Sequence, residues 1–141
     1  MENRKIVIVD DDKKFTAVLE EEVKKIFNDQ EIITFNLYDK SYVDKNEIFL
    51  LLLDIEILDE NGGLAFNGID EAIKIRDNKK WDIEIIFITS HSDLITAAQD
   101  AVPFYFISKD NVCDIFFCQS RFQFMVDYYF DIVALSVLLS M

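Results

Sequence analysis

Six polar residues stand at the ends of apolar runs, and their types suit metal and phosphate chemistry. Asp10 and Asp11 end Ile6-Val7-Ile8-Val9, and Asp54 ends the run from Ile48 to Leu53. Thr89 and Ser90 follow Phe87-Ile88, and Lys109 follows Phe106-Ile107-Ser108. Carboxylates brought together repel and raise one another's pKa, and a divalent cation relieves the strain. Mg²⁺ takes oxygen ligands and keeps waters, so two or three carboxylates plus a phosphate suit it, and Mn²⁺ accepts the same set. A lysine beside such a cation neutralises an incoming phosphoryl oxygen as a point charge. A hydroxyl bonds another. Together these groups fit phosphoryl transfer to a carboxylate, where positioning and charge neutralisation do most of the catalysis.

The runs themselves are strand candidates. Lys5–Val9, Glu31–Phe35, Ile48–Leu53, Ile83–Ile88 and Phe104–Ile107 are rich in β-branched, leucine and aromatic residues. Unbroken apolar runs of this length mark strands buried on both faces. Helical periodicity lies between them. Phe15, Val18, Leu19, Val23, Ile26 and Phe27 form one apolar stripe, with Glu20, Glu21, Lys24 and Lys25 facing out. Tyr38 to Asn46 holds a short helix. Ile69, Ala72, Ile73 and Arg76 give another of about three turns, and Ser92 to Asp100 a fourth, with Leu94, Ala97 and Ala98 inward. Leu58 to Asn67 contains Asn61-Gly62-Gly63 and reads as a loop. The segment from Asn111 is helical in pattern and very apolar. Alternating strands and helices predict an α/β domain, a doubly wound five-stranded parallel sheet of the flavodoxin-like type. Ligands bind at the carboxyl ends of the strands in such sheets, so the six polar residues should converge there.

With 141 residues the chain is expected to be one domain. The apolar set makes up 51% and charged residues 29%, enough to bury a core, so the chain is not disordered. A net charge of −13 disfavours direct nucleic-acid binding, which needs Lys and Arg against phosphate. No apolar run reaches the ~18 residues of a membrane span, and the N-terminus does not read as a signal peptide. Cys113 and Cys118 form no CxxC pair and read as buried thiols, so the cytoplasm is the expected compartment. His91, the only histidine, has no nucleophile motif around it and reads as a loop or cap residue.

Ile6-Val7-Ile8-Val9-Asp10-Asp11, Leu51-Leu52-Leu53-Asp54, Phe87-Ile88-Thr89-Ser90 and Phe106-Ile107-Ser108-Lys109 resemble, in order, the four signature blocks of response-regulator receiver domains. The resemblance covers roughly residues 4–112. Asp54-Ile55-Glu56, Asn67-Gly68-Ile69 and Ile88-Thr89-Ser90-His91 further resemble the receivers attached to LytTR-type DNA-binding domains. The resemblance implies a (βα)₅ receiver that takes a phosphoryl group from a sensor histidine kinase. Asp54 would be the phosphoacceptor. Asp11 would bind Mg²⁺ directly, Asp10 directly or through water, and Glu56 through its backbone carbonyl, with its side chain toward solvent. Thr89 would move to the phosphoryl group, Lys109 would pair with one of its oxygens, and Phe106 would be the aromatic switch residue. The face formed by the fourth helix, fifth strand and fifth helix would change state and could pair two copies.

Three features depart from that pattern. Asp110 follows Lys109, where the family usually has Pro. The segment between Asp54 and Asn67-Gly68 is longer than usual. Residues 111–141 crowd aromatics such as Phe116, Phe117, Phe122, Phe124 and Tyr128 into a segment that normally has a polar face, suggesting core or a second contact surface. Blander roles exist for single residues: Asp10 and Asp11 as helix caps, Thr89 and Ser90 likewise, Phe106 as plain core. Rival functions fit less well. An aspartyl phosphatase of the haloacid-dehalogenase kind needs an acid two residues past its nucleophile, here Glu56, and a Thr or Val two further on, where Leu58 stands. A nucleotide-binding domain lacks its glycine-rich phosphate loop. A stand-alone or degenerate receiver acting only as an interaction module is the remaining alternative.

Overall fold

The computed structural model describes residues 5–27, 30–78, 82–90, 95–101, 103 and 105–109. His91, Leu94, Asp110, Cys113, Cys118 and the apolar segment 111–141 lie outside the described residues. Five strands form one parallel sheet: β1 (Lys5–Val9), β2 (Glu31–Phe35), β3 (Ile48–Asp54), β6 (Glu84–Thr89) and β7 (Tyr105–Ser108). Their order is β2-β1-β3-β6-β7. This is the flavodoxin-like winding. The helices α1 (Lys13–Ile26), α2 (Lys40–Lys45), α3 (Gly68–Asp77) and α4 (Ile95–Ala98, continued by a 3₁₀ turn over Gln99–Ala101) supply the connections.

Period-two alternation divides the central strands between two cores. Ile6, Ile8, Leu50, Leu52, Ile86 and Ile88 pack with Leu19, Val23 and Phe27 of the α1 segment. Val7, Val9, Leu51, Leu53 and Phe87 pack on the other face with Val43 of α2 and Ile69, Ala72 and Ile75 of α3. All seven residues of β3 are buried, which is why its sequence shows no alternation.

The helical stripes differ in detail from the periodic reading. Val18 is 44% exposed, and Thr16 takes the inward place beside Leu19, its hydroxyl donating to the Lys13 carbonyl at 3.1 Å. The buried line therefore runs through 16, 19, 23 and 27 and leaves Val18 outside it. In α4 Ala98 is buried, and Ala97 faces out. In α3 Ile75 joins the core. Buried Arg76 donates through its guanidinium to the carbonyls of Ile83 (2.7 Å) and Ala101 (2.8 Å), tying α3 to the segments that enter β6 and β7. Burial pulls its pKa down.

The segment expected to be a loop is a hairpin. β4 (Glu56–Leu58) and β5 (Leu64–Asn67) pair antiparallel. Gly62 N donates to Asp59 O at 3.1 Å, and Asp59 N to Gly63 O at 2.7 Å. This is a three-residue turn ending in a left-handed residue, and Gly62 at φ 80° supplies that residue. The Asp59 carboxylate closes the loop by accepting from Asn61 N (2.9 Å) and Gly63 N (2.8 Å). Strands this short carry little periodic signal, and Asn-Gly-Gly dominates the reading.

Gly68 sits where β5 meets α3. Its N–H donates to Ile55 O at 2.7 Å. A Cβ there would run into the Asp54 carbonyl oxygen, with the Asp54 carbonyl carbon at 3.0 Å and Ile55 Cα at 3.1 Å. All three are backbone atoms at the end of β3 and cannot swing aside. Gly68→Ala is expected to lower unfolding free energy by about 2–4 kcal/mol, read by denaturant titration. Unchanged stability would show that the end of β3 yields.

Candidate phosphoacceptor and metal site

Sheet register brings the polar residues together. Val9 pairs with Leu53, Leu53 with Phe87, and Phe87 with Phe106, forming one row across four strands. Asp10 and Asp54 are each the next residue along. Thr89 and Lys109 lie just beyond, with Lys109 N donating to Thr89 O at 2.9 Å. β1 and β3 flank the point where the winding reverses direction, the usual ligand crevice of this sheet.

Asp10 is fully buried and Asp54 is 3% exposed. Lys109 Nζ bridges them, 2.8 Å from Asp10 Oδ1 and 3.0 Å from Asp54 Oδ2. Asp10 Oδ1 also accepts from Asp12 N at 2.9 Å, and Asp54 Oδ1 accepts from Glu56 N at 3.2 Å. Asn36 Nδ2 holds the Asp10 carbonyl at 2.8 Å. Phe15 places its ring 5.9 Å from the Lys109 ammonium. Asp12 caps α1, accepting from Lys14 N and Phe15 N at 3.1 Å each, so neither Asp10 nor Asp11 performs that task. Asp11 is exposed at the rim.

Burial raises the Asp54 carboxyl first, the charge of Asp10 raises it further, and Lys109 pulls it back. The outcome is a pKa pushed up to about 7. For Lys109, burial opposes the charge, but the hydrogen bonds to Asp10 and Asp54 outweigh it and the ammonium pKa rises. One lysine therefore does not fully offset two buried carboxylates.

A divalent cation fits this arrangement. One carboxylate oxygen from each of Asp10, Asp11 and Asp54 lies within 4.8 Å of the others. Asp10 Oδ2 is buried with no hydrogen-bond partner, an acceptor that water does not reach. Hard carboxylate oxygens are what Mg²⁺ or Mn²⁺ takes.

The cluster opens into a cleft of about 180 Å³ lined by Asp11, Asp54, Glu56, Leu58, Thr89, Ser90 and Lys109. Thr89 is 3% exposed there. Glu56 is half-buried along the wall rather than turned fully to solvent. Phe106 lies away from the cleft, half-buried and stacked on Phe87 with ring centroids 5.8 Å apart. Leu58, Asn36 and Phe15 were not singled out for the site from the sequence. None of the three leaves a local signal there: Glu56-Ile57-Leu58 is polar-apolar-apolar, and its alternation shows only in burial.

No family model matches the sequence, and no curated protein matches it. Solved structures do. The chain matches the response regulator DrrB of Thermotoga maritima, an OmpR/PhoB homolog, at TM-score 0.68 and 18% identity over 90% of this chain. It spans 54% of DrrB's own length. The signal receiver domain of a DNA-binding response regulator from Colwellia psychrerythraea matches at TM-score 0.70 and 16% identity, over 89% of this chain and 99% of that one. The fold is that of response-regulator receiver domains. TrrA of Thermotoga maritima, solved in complex with Mg²⁺-BeF, has the same receiver fold at TM-score 0.60 and 26% identity, over 75% of this chain and 86% of that one. Among the described residues, no helix of this receiver fold is long and apolar enough to cross a membrane.

Proposed function

We propose that the chain is a phosphorylation-dependent switch of a two-component system. In this reading Asp54 accepts a phosphoryl group from a sensor histidine kinase in the cytoplasm. One observation carries it: Lys109 Nζ bridges Asp10 and Asp54 beside the unpartnered oxygen of Asp10, in the wall of a polar cleft. Asp10, Asp11, Asp54 and the Glu56 carbonyl would hold Mg²⁺, as TrrA was solved with Mg²⁺-BeF and Rcp1 with Mn²⁺. The bound cation supplies charge neutralisation for the carboxylates and the phosphoryl oxygens.

An Asp54 oxygen forms the new P–O bond, and the bond from phosphorus to the donor histidine breaks. Lys109 transfers its contact from Asp54 Oδ2 to a phosphoryl oxygen. Thr89, already in the cleft wall, donates its hydroxyl to another. The resulting shift of β6 reaches Phe106 through its stacking on Phe87 and biases the surface around α4 and β7 between two states. That surface is also where two copies would pair. The LytTR-like blocks point to transcription control through an output domain of that kind. A receiver acting as a bare interaction module is the second reading, favoured only by Asp110 after the signature lysine.

Beryllofluoride with Mg²⁺ tests the reading. Binding should shift the backbone amide resonances of Thr89 and Lys109 in the wild type and leave them in place in Asp54→Asn. Equal shifts in both proteins would place the ligand elsewhere.

A further inference from the structure

Among the described residues, Leu58 is the only apolar one in the lining of the cleft. β4 alternates, so Ile57 enters the core at 4% exposure while Glu56 and Leu58 both face the cleft. Leu58 is 53% exposed and pairs across the hairpin with Leu64, also 53% exposed. A single exposed leucine needs no explanation. This one is held by a closed turn at one end of the hairpin and by the Gly68–Ile55 hydrogen bond at the other. It shares its cleft with the carboxylates of Asp54 and Glu56.

Resting on the phosphoacceptor reading of Asp54, we infer that Leu58 and Glu56 select the phosphodonor by its leaving group, favouring a neutral imidazole over a carboxylate. Asp54 and Lys109 are nearly buried, with side chains 4% and 16% exposed. The phosphoryl group must travel inward to reach them, and the rest of the donor stays at the mouth, against β4. An imidazole ring buries apolar surface on Leu58. A departing carboxylate loses hydration against Leu58 and faces the Glu56 carboxylate. The step balances. The P–O bond to Asp54 forms as the P–N bond breaks, the bonding pair goes to the ring nitrogen, and the ring, protonated on its other nitrogen, leaves as neutral imidazole.

The test is the rate of mass gain with phosphoimidazole against that with acetyl phosphate, both with Mg²⁺. Leu58→Asn should lower the ratio of the two rates about five- to tenfold, and Leu58→Ala should fall between it and the wild type. Leu58→Met, which restores an apolar wall, should keep the ratio within about twofold. Leu64→Asn, on the same hairpin but outside the cleft, should keep it too. An unchanged ratio in Leu58→Asn, or an equal fall in Leu64→Asn, would overturn the inference and leave the phosphoacceptor reading intact. No mass gain from either donor in the wild type would overturn that reading, and the inference with it.

Discussion

In metal-free protein at about pH 8, Asp54→Asn raises the unfolding temperature by roughly 5–10 °C. The Asp54 carboxyl has a folded-state pKa of about 7, raised chiefly by burial and then by Asp10. A raised folded pKa means the folded state holds its proton more tightly than the unfolded chain does. Its contribution to stability is full below the unfolded value near 4 and is lost as pH rises through 7. Above pH 7 the wild type carries the whole cost of a buried anion. The full linkage value of such a shift is about 4 kcal/mol. The cleft opens to water, which screens the charge, so about 2 kcal/mol is expected. Asparagine keeps the shape and removes the charge. The gain should vanish below about pH 3, where aspartate is neutral in both states. Mg²⁺ should narrow it at higher pH by stabilising the wild type through binding to the folded state alone. Thermal unfolding across that range, with and without Mg²⁺, checks the sign. A variant less stable than the wild type at about pH 8 would show that Lys109 already neutralises the site.

Lys109→Ala acts in the opposite direction. Its ammonium is the only cation hydrogen-bonded to Asp10 and Asp54 among the contacts described, at 2.8 and 3.0 Å. Removing it leaves two carboxylates, 0% and 4% exposed, facing each other. Deleting one partner of a buried charge cluster costs about 3–5 kcal/mol. The loss should be largest in metal-free protein above pH 7 and smaller below pH 4, where protonation removes the repulsion. Asp54→Asn should recover part of it, so the double variant should be clearly more stable than Lys109→Ala. Mg²⁺ should also recover part of it, because the cation's ligands remain. Denaturant midpoints of the four proteins read the coupling directly. Additive effects would mean that Lys109 and Asp54 act independently, against the geometry.

The strands and their order of use were legible because burial on both faces imposes a run that no loop or surface helix sustains. Ile48–Leu53 is the plainest case. The site was legible for the same reason. A polar residue ending such a run must sit at the sheet's carboxyl edge, and Asp10, Asp54, Thr89 and Lys109 each do. Which aspartate caps α1 was not legible, since Asp10, Asp11 and Asp12 are alike in type, and only backbone geometry assigns the task to Asp12. Val18 falls outside the buried line and Thr16 inside it because a rotation of a helical stripe by less than one residue costs little in sequence pattern. The β4–β5 hairpin was hidden by its short strands and glycine-rich turn. With it went the part of Leu58 in the cleft wall, which depends on tertiary pairing rather than on local composition.

Intact mass during incubation with Mg²⁺ and acetyl phosphate tests the central claim most directly. The account predicts a gain of one phosphoryl group in the wild type and none in Asp54→Asn. A gain of the same size in Asp54→Asn would contradict it, because the acceptor would then be another residue.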